Sequence, residues 1–206
     1  MKMMTKMMFA AGVYAFAAPA IANAAVAIDQ QQTITTVSMA VFSQTGLAQS
    51  FRQSASNITG AGVYLTASAG SGPGSLTIAL YTNLPNVSGA TLLASGSANY
   101  SANNQWIDVS FTPTSIVSNQ TYYLVFTGTS GYGIAGSVNN PYAFGQTYAN
   151  PGYGSFPAFD YAFRTYADTA VAAVPEPATW SLMVLGFGMI GAAARSRKVK
   201  TTVSFA

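Results

Sequence analysis

The segment "SLTIALYT" (residues 75–82) decides the fold. Leu76, Ile78 and Leu80 alternate with Thr77, Ala79 and Tyr81, so an extended chain sends the first set to one face and the second to the other. That is a strand with one buried side. "QWIDVSF" (105–111) repeats the pattern, with Ile107, Val109 and Phe111 opposite Trp106, Asp108 and Ser110. "TYYLVFT" (121–127) is apolar on both faces, which predicts a central strand over Tyr122 to Phe126. "DYAFRTY" (160–166) sets Tyr161 and Phe163 against Ala162 and Arg164. "GAGVYLT", "ATLLASGS" and "TITTVSMAV" are weaker strand candidates.

Between these runs stand "AGSGPG" (69–74), "NLPN" (83–86), "SANN" (101–104) and "NPGYG" (150–154). Glycine supplies positive φ and proline presets a turn position. Residues 138–158, aromatic and rich in Gly and Pro, read as a long loop region. Short strands, turn chemistry and no helical period predict an all-β body over 25–168, a jelly-roll-like β-sandwich.

The chain has 206 residues, half of them hydrophobic and 6% charged, against about 25% in an average soluble domain. It contains no cysteine and no histidine. Disulfides and thiolate chemistry are thereby excluded, along with the usual general base near neutral pH. Without histidine a Ser-His-Asp triad cannot form. Paired carboxylates would have to come from Asp108, Asp160 and Asp168, and Asp160 and Asp168 sit at opposite ends of one predicted strand. Asn139, Asn140 and Asp160 could together attract calcium, yet the spaced acidic loop that calcium usually requires is missing, and turn capping explains them as well. The expectation is a body without catalytic residues, metal or cofactor.

The net charge of +3 resides at the ends. Between residues 25 and 174 only Arg52 and Arg164 face Asp29, Asp108, Asp160 and Asp168, a net of −2. Nucleic acid is not an expected partner, because displacing phosphate counterions takes clustered Lys and Arg. Tyrosines spread along the body suggest sugar stacking, with Trp106, Tyr142 and Tyr148 as candidate contacts. Strand propensity alone also accounts for so many tyrosines.

At the amino end, Lys2 and Lys6 precede an apolar run from Phe9 to Ile21, and Ala22-Asn23-Ala24 fits the small-residue rule for signal peptidase. Residues 1–24 are therefore expected to be a cleaved signal peptide, with Ala25 as the new terminus. The run is short for a membrane span of about 20 residues, and Pro19 interrupts it.

At the other end, residues 169–174 form a small-residue linker before Pro175-Glu176-Pro177. Ala178 to Ala194 is uncharged, and at about 1.5 Å per residue spans roughly 25 Å against a hydrocarbon core of about 30 Å. Trp180 stands where an aromatic belt would lie, and Arg195, Arg197 and Lys198 form a basic stop that the positive-inside rule places in the cytoplasm. The expectation is one transmembrane helix over 178–194 with the body outside the cell membrane.

Two resemblances go further. Pro175-Glu176-Pro177, Trp180 and "MVLGFGMIGAAARSRK" together resemble the PEP-CTERM sorting signal in its PEPxxW form, over 175–200. That resemblance implies a bacterial substrate of exosortase, a transpeptidase-like enzyme of the inner membrane, and an association with exopolysaccharide. Ser196 interrupts the basic cluster and "TTVSFA" extends beyond it. In the body, "AQSF" (48–51), "YYLVF" (122–126), "NPYAFGQTY" (140–148) and "DYAFRTY" (160–166) resemble the choice-of-anchor modules of exported bacterial proteins, in which Phe144 is often a glycine. No activity follows from that likeness. The sequence thus points to a non-catalytic surface or matrix protein. Its expected partners are signal peptidase and an exosortase-type enzyme, with the inner membrane as a way-station. The alternative is a module that binds exopolysaccharide.

Overall fold

A computed structural model describes residues 25–67, 72–169 and 177–196. The body (24–170) and the carboxyl-terminal segment fall in separate compact units. Within the described body there are strands and no helix. They are β1 (Ala25–Gln32), β2 (Val37–Val41), β3 (Ala48–Arg52), β4 (Asn57–Ala67), β5 (Gly74–Tyr81), β6 (Leu92–Tyr100), β7 (Gln105–Ser115), β8 (Thr121–Gly128), β9 (Tyr132–Ser137), β10 (Thr147–Ala149), β11 (Gly154–Phe156), β12 (Asp160–Tyr161) and β13 (Phe163–Thr169).

They form two antiparallel sheets. One runs β1-β13-β4-β9-β12, with β2 also on β9 and β7 also on β4. The other runs β11-β10-β3-β8-β5-β6. The inner faces meet in one apolar core. Leu76, Ile78 and Leu80 of β5 are fully buried, and so are Ile58, Val63 and Leu65 of β4 on the opposite sheet. Aromatic pairs bridge the layers: Phe51 of β3 packs on Phe163 of β13 at 6.3 Å, and Phe126 of β8 meets Tyr161 of β12 edge-on at 5.8 Å.

The alternations in β5 and β7 come out as read, with Ile107, Val109 and Phe111 buried and Asp108 and Ser110 exposed. β8 lies between β3 and β5, the interior position its two-sided apolarity called for. Two expectations need correcting. "DYAFRTY" is not one alternating strand. It breaks at Ala162, which is itself buried, because β12 pairs with β9 while β13 moves across to pair with β4. Residues 138–158 are not simply loop, since β10 and β11 form a hairpin that extends the second sheet beyond β3.

The core reading predicts unequal effects on the two faces of β5. Ile78→Ala empties a fully buried site and is expected to cost about 3 kcal/mol. Thr77→Ala, which loses an exposed hydroxyl contact with Ser97 at 2.7 Å, should cost about 0.5 kcal/mol. Urea denaturation of the two variants checks the difference, and equal losses would contradict the assigned faces.

Candidate functional site

The carboxyl-terminal segment is a single helix, α1 (Pro177–Ser196). Proline opens it at the one helical position where a missing N–H leaves no bond unmade. At about 1.5 Å per residue it is roughly 30 Å long. Leu182, Met183, Val184, Leu185, Phe187, Met189 and Ile190 are 54–70% exposed, and they surround the helix rather than marking one stripe. Its last turn carries Arg195. Among the described residues, however, no helix is long and apolar enough to cross a membrane. The expected span 178–194 is therefore helical, but the structure does not support it as a transmembrane segment. Gly186, Gly188 and Gly191, with Thr179 and Ser181, dilute the apolar content of an already short uncharged run. Pro175, Glu176, Arg197 and Lys198 lie outside the described residues, as do the cleavage-site residues Ala22 and Ala24. Trp180 is in the first turns of α1, and Ala25 is the first residue of β1.

In the body, the candidate aromatic residues are kept apart. Trp106 is on β7 of the first sheet and Tyr148 on β10 of the second. Tyr142 is buried, its hydroxyl donating to Gln30 Oε1 at 3.0 Å and accepting from the Arg52 amide at 3.2 Å. Its ring packs edge-on against Phe163 at 5.0 Å, and burial raises its pKa. Tyr142 is thus a core residue.

Trp106 belongs to an outer-face cluster. The Arg164 guanidinium sits 4.4 Å above its ring, while Arg164 Nε donates to Asp108 Oδ1 at 2.7 Å and its terminal nitrogen pairs with Oδ2. Tyr166 donates its hydroxyl to the same Oδ1 at 2.7 Å. Burial, and then the hydrogen bond to Asp108, push the Tyr166 pKa up to about 12, so it remains a donor at neutral pH. Asp108 and Arg164 reach each other across β4 because residue 62 is glycine, and a Cβ there would collide with the Asp108 carboxylate. Beside the cluster a cleft of about 340 Å³ is lined by Gly60, Ser110, Phe111, Tyr166 and Asp168.

Asp160 is placed very differently. It is fully buried, accepting from Gln49 Nε2 at 2.8 Å and from the Tyr142 amide at 3.0 Å. The Asn140 amide, turned nitrogen inward, adds a donor at 3.2 Å. Gln49 is fully buried as well, and its Oε1 accepts from the Tyr161 amide at 2.9 Å and the Thr147 hydroxyl at 3.1 Å. The carboxylate that sequence offered to calcium or catalysis is enclosed by neutral donors, and among the described residues no group of three or more acidic side chains is assembled. Sequence reasoning missed Gln49. The signal was available in a lone glutamine on an otherwise apolar strand face.

Residues 173–198 match the family model of the PEP-CTERM protein-sorting motif. The chain carries a PEP-CTERM sorting motif. That motif implies exosortase-dependent sorting to the cell surface. The matched residues include Pro175, Glu176, Pro177, Trp180, Arg195, Arg197 and Lys198, and they stop short of the body. No curated protein matches the chain.

The buried carboxylate makes stability depend on pH with a definite sign. Burial raises the Asp160 pKa above its ordinary 3.8, against the lowering effect of its hydrogen bonds. A raised pKa means that the folded state favours the protonated form. The stabilisation this group provides is therefore fully present below 3.8 and is lost as pH rises through the folded value. Wild-type unfolding free energy should contain a component that falls with rising pH, absent from Asp160→Asn. Identical pH slopes in the two proteins would refute this.

Proposed function

We propose that the protein is an exported, non-catalytic surface protein whose sandwich body is delivered by its sorting motif to an exosortase-type processing enzyme and then resides at the cell surface or in the extracellular matrix with exopolysaccharide. The motif at 173–198 carries the reading. Further support comes from the leader-like residues 1–24, in which cleavage after Ala24 frees Ala25. In this reading α1, whose apolar side chains are exposed, associates the precursor with the inner membrane until it is processed.

Support for a body without catalysis comes from how three of its four acids are engaged, the fourth, Asp168, standing at the cleft without a second free carboxylate beside it. Asp29 accepts from the Ser54 and Ala55 amides at 2.7 and 3.0 Å, Asp108 is paired with Arg164, and Asp160 is enclosed. With no histidine or cysteine in the chain, few general bases or nucleophiles remain.

Glu176→Ala separates a sorting signal from a plain hydrophobic anchor, since it leaves the apolar run and the basic cluster intact. In the native host, the variant should accumulate as full-length precursor in the inner-membrane fraction on immunoblots. Unchanged surface delivery would mean that the triplet is not read.

A further inference from the structure

The second sheet turns an unusual face to solvent. Strand pairing places Ser155, Tyr148, Ala48, Val125, Ala79 and Ser95 in one row that crosses all six strands. At roughly 4.8 Å per strand spacing the row is about 24 Å long. The next row holds Ser50, Tyr123 and Tyr81 and ends at the exposed Leu92 of β6, and a third holds Thr127, Thr77 and Ser97. Tyr153, from the turn between β10 and β11, joins Tyr81, Tyr123 and Tyr148 over a small cluster of Ala48, Leu84 and Val125. Those three are 0–8% exposed while the four tyrosines are half-buried, so phenol rings rather than aliphatic groups form the outer surface. These rows carry no charged side chain, and Arg52, paired with Thr121, lies at their margin.

The rings are held in place. Gln146 Nε2 donates to the Tyr148 hydroxyl at 2.8 Å and to Ser155 Oγ at 2.7 Å. The Tyr123 and Tyr148 rings are 5.8 Å apart and tilted by 58°. Tyr153 adopts φ of 62°, a left-handed conformation costly for a residue with a Cβ, and Asn86 ties the neighbouring Gly152 carbonyl to the 83–90 turn at 2.9 Å. Burial raises the pKa of both Tyr123 and Tyr153, so their hydroxyls keep their protons well above neutral pH.

We infer that this tyrosine face, formed by β10, β3, β8 and β5, binds a neutral polysaccharide chain. Sugar rings present apolar C–H faces to aromatic rings and hydroxyl rims to phenol, serine and threonine hydroxyls, and Tyr supplies both surfaces in one side chain. The lack of charge matches a neutral polymer and offers nothing to a polyanion. A protein partner would need several aliphatic anchors, and Ala48, Leu84 and Val125 are covered, which leaves Leu92 at the β6 edge as the exposed one in these rows. The face on the other sheet is a poorer fit, since both Asp108 oxygens are already engaged by Arg164 and Tyr166. The inference rests on the reading of the body as an exported, matrix-facing module.

The test is calorimetric titration of the protein purified from its host with hydroxyethylcellulose, konjac glucomannan and dextran, with alginate as the anionic comparison. At least one neutral polymer should bind and alginate should not. Tyr123→Ala and Tyr148→Ala should each weaken binding about tenfold, the size expected for one lost ring contact. Tyr123→Phe, which keeps the ring and the fold, should stay within about threefold of wild type, a loss no larger than that of one solvent-exposed hydrogen bond. Arg164→Ala, on the other sheet, should bind as wild type. No heat with any neutral polymer, equal binding of alginate, or tyrosine variants that bind unchanged would overturn the inference. So would sedimentation showing a dimer that Tyr148→Ala dissociates, which assigns the face to a second copy. Surface delivery of the tyrosine variants, followed on immunoblots, depends on the tail, so a failed titration leaves the sorting reading standing.

Discussion

Much of the body depends on the buried contact between Gln49 and Asp160. A carboxylate removed from water costs several kcal/mol unless donors replace its hydration. Its donors here come from segments far apart in the chain: Gln49 on β3, and Asn140 and Tyr142 in the stretch before β10. Gln49 spends its own oxygen on Tyr161 and Thr147. One side chain thus joins β3 of the second sheet to β12 of the first and holds the 138–148 stretch against both. Gly145 belongs to the same closure, since a Cβ there would collide with the Ser50 carbonyl oxygen. The three body segments "AQSF", "NPYAFGQTY" and "DYAFRTY" each contribute to this cluster. Their joint presence in the sequence has a physical meaning: they are the pieces of one polar tie.

What could be read from sequence follows from what each residue signals locally. The strands with one wet face, β5 and β7, announce themselves because alternation is a property of neighbouring residues. β9 does not, since "YGIAGS" is buried throughout and lined with glycine, which leaves no alternation to see. β1 is hidden for a related reason: "AVAIDQQQ" is apolar, then polar, and its polar part is ordered by partners more than a hundred residues away. The break at Ala162 is likewise invisible locally, because it is set by a change of partner strand.

The candidate aromatic set shows the same limit from the side of function. Trp106, Tyr142 and Tyr148 are equivalent in composition, yet they occupy an outer face, the core and the opposite outer face. Tyr81, Tyr123, Tyr148 and Tyr153 become neighbours only through the pairing of β5, β8, β3 and β10. The sorting motif is the reverse case. Its information is linear, in a triplet, an apolar run and a basic stop, so it could be read residue by residue and needed no fold.

This division between a nearly neutral body that carries its own core and a tail that carries an address is the centre of the account. The most direct test is the intact mass of the protein recovered from the surface of its native host. The account predicts a species that begins at Ala25 and has lost α1, with its carboxyl end near the Pro175-Glu176-Pro177 triplet. A surface protein whose mass still extends to Ala206 would contradict it.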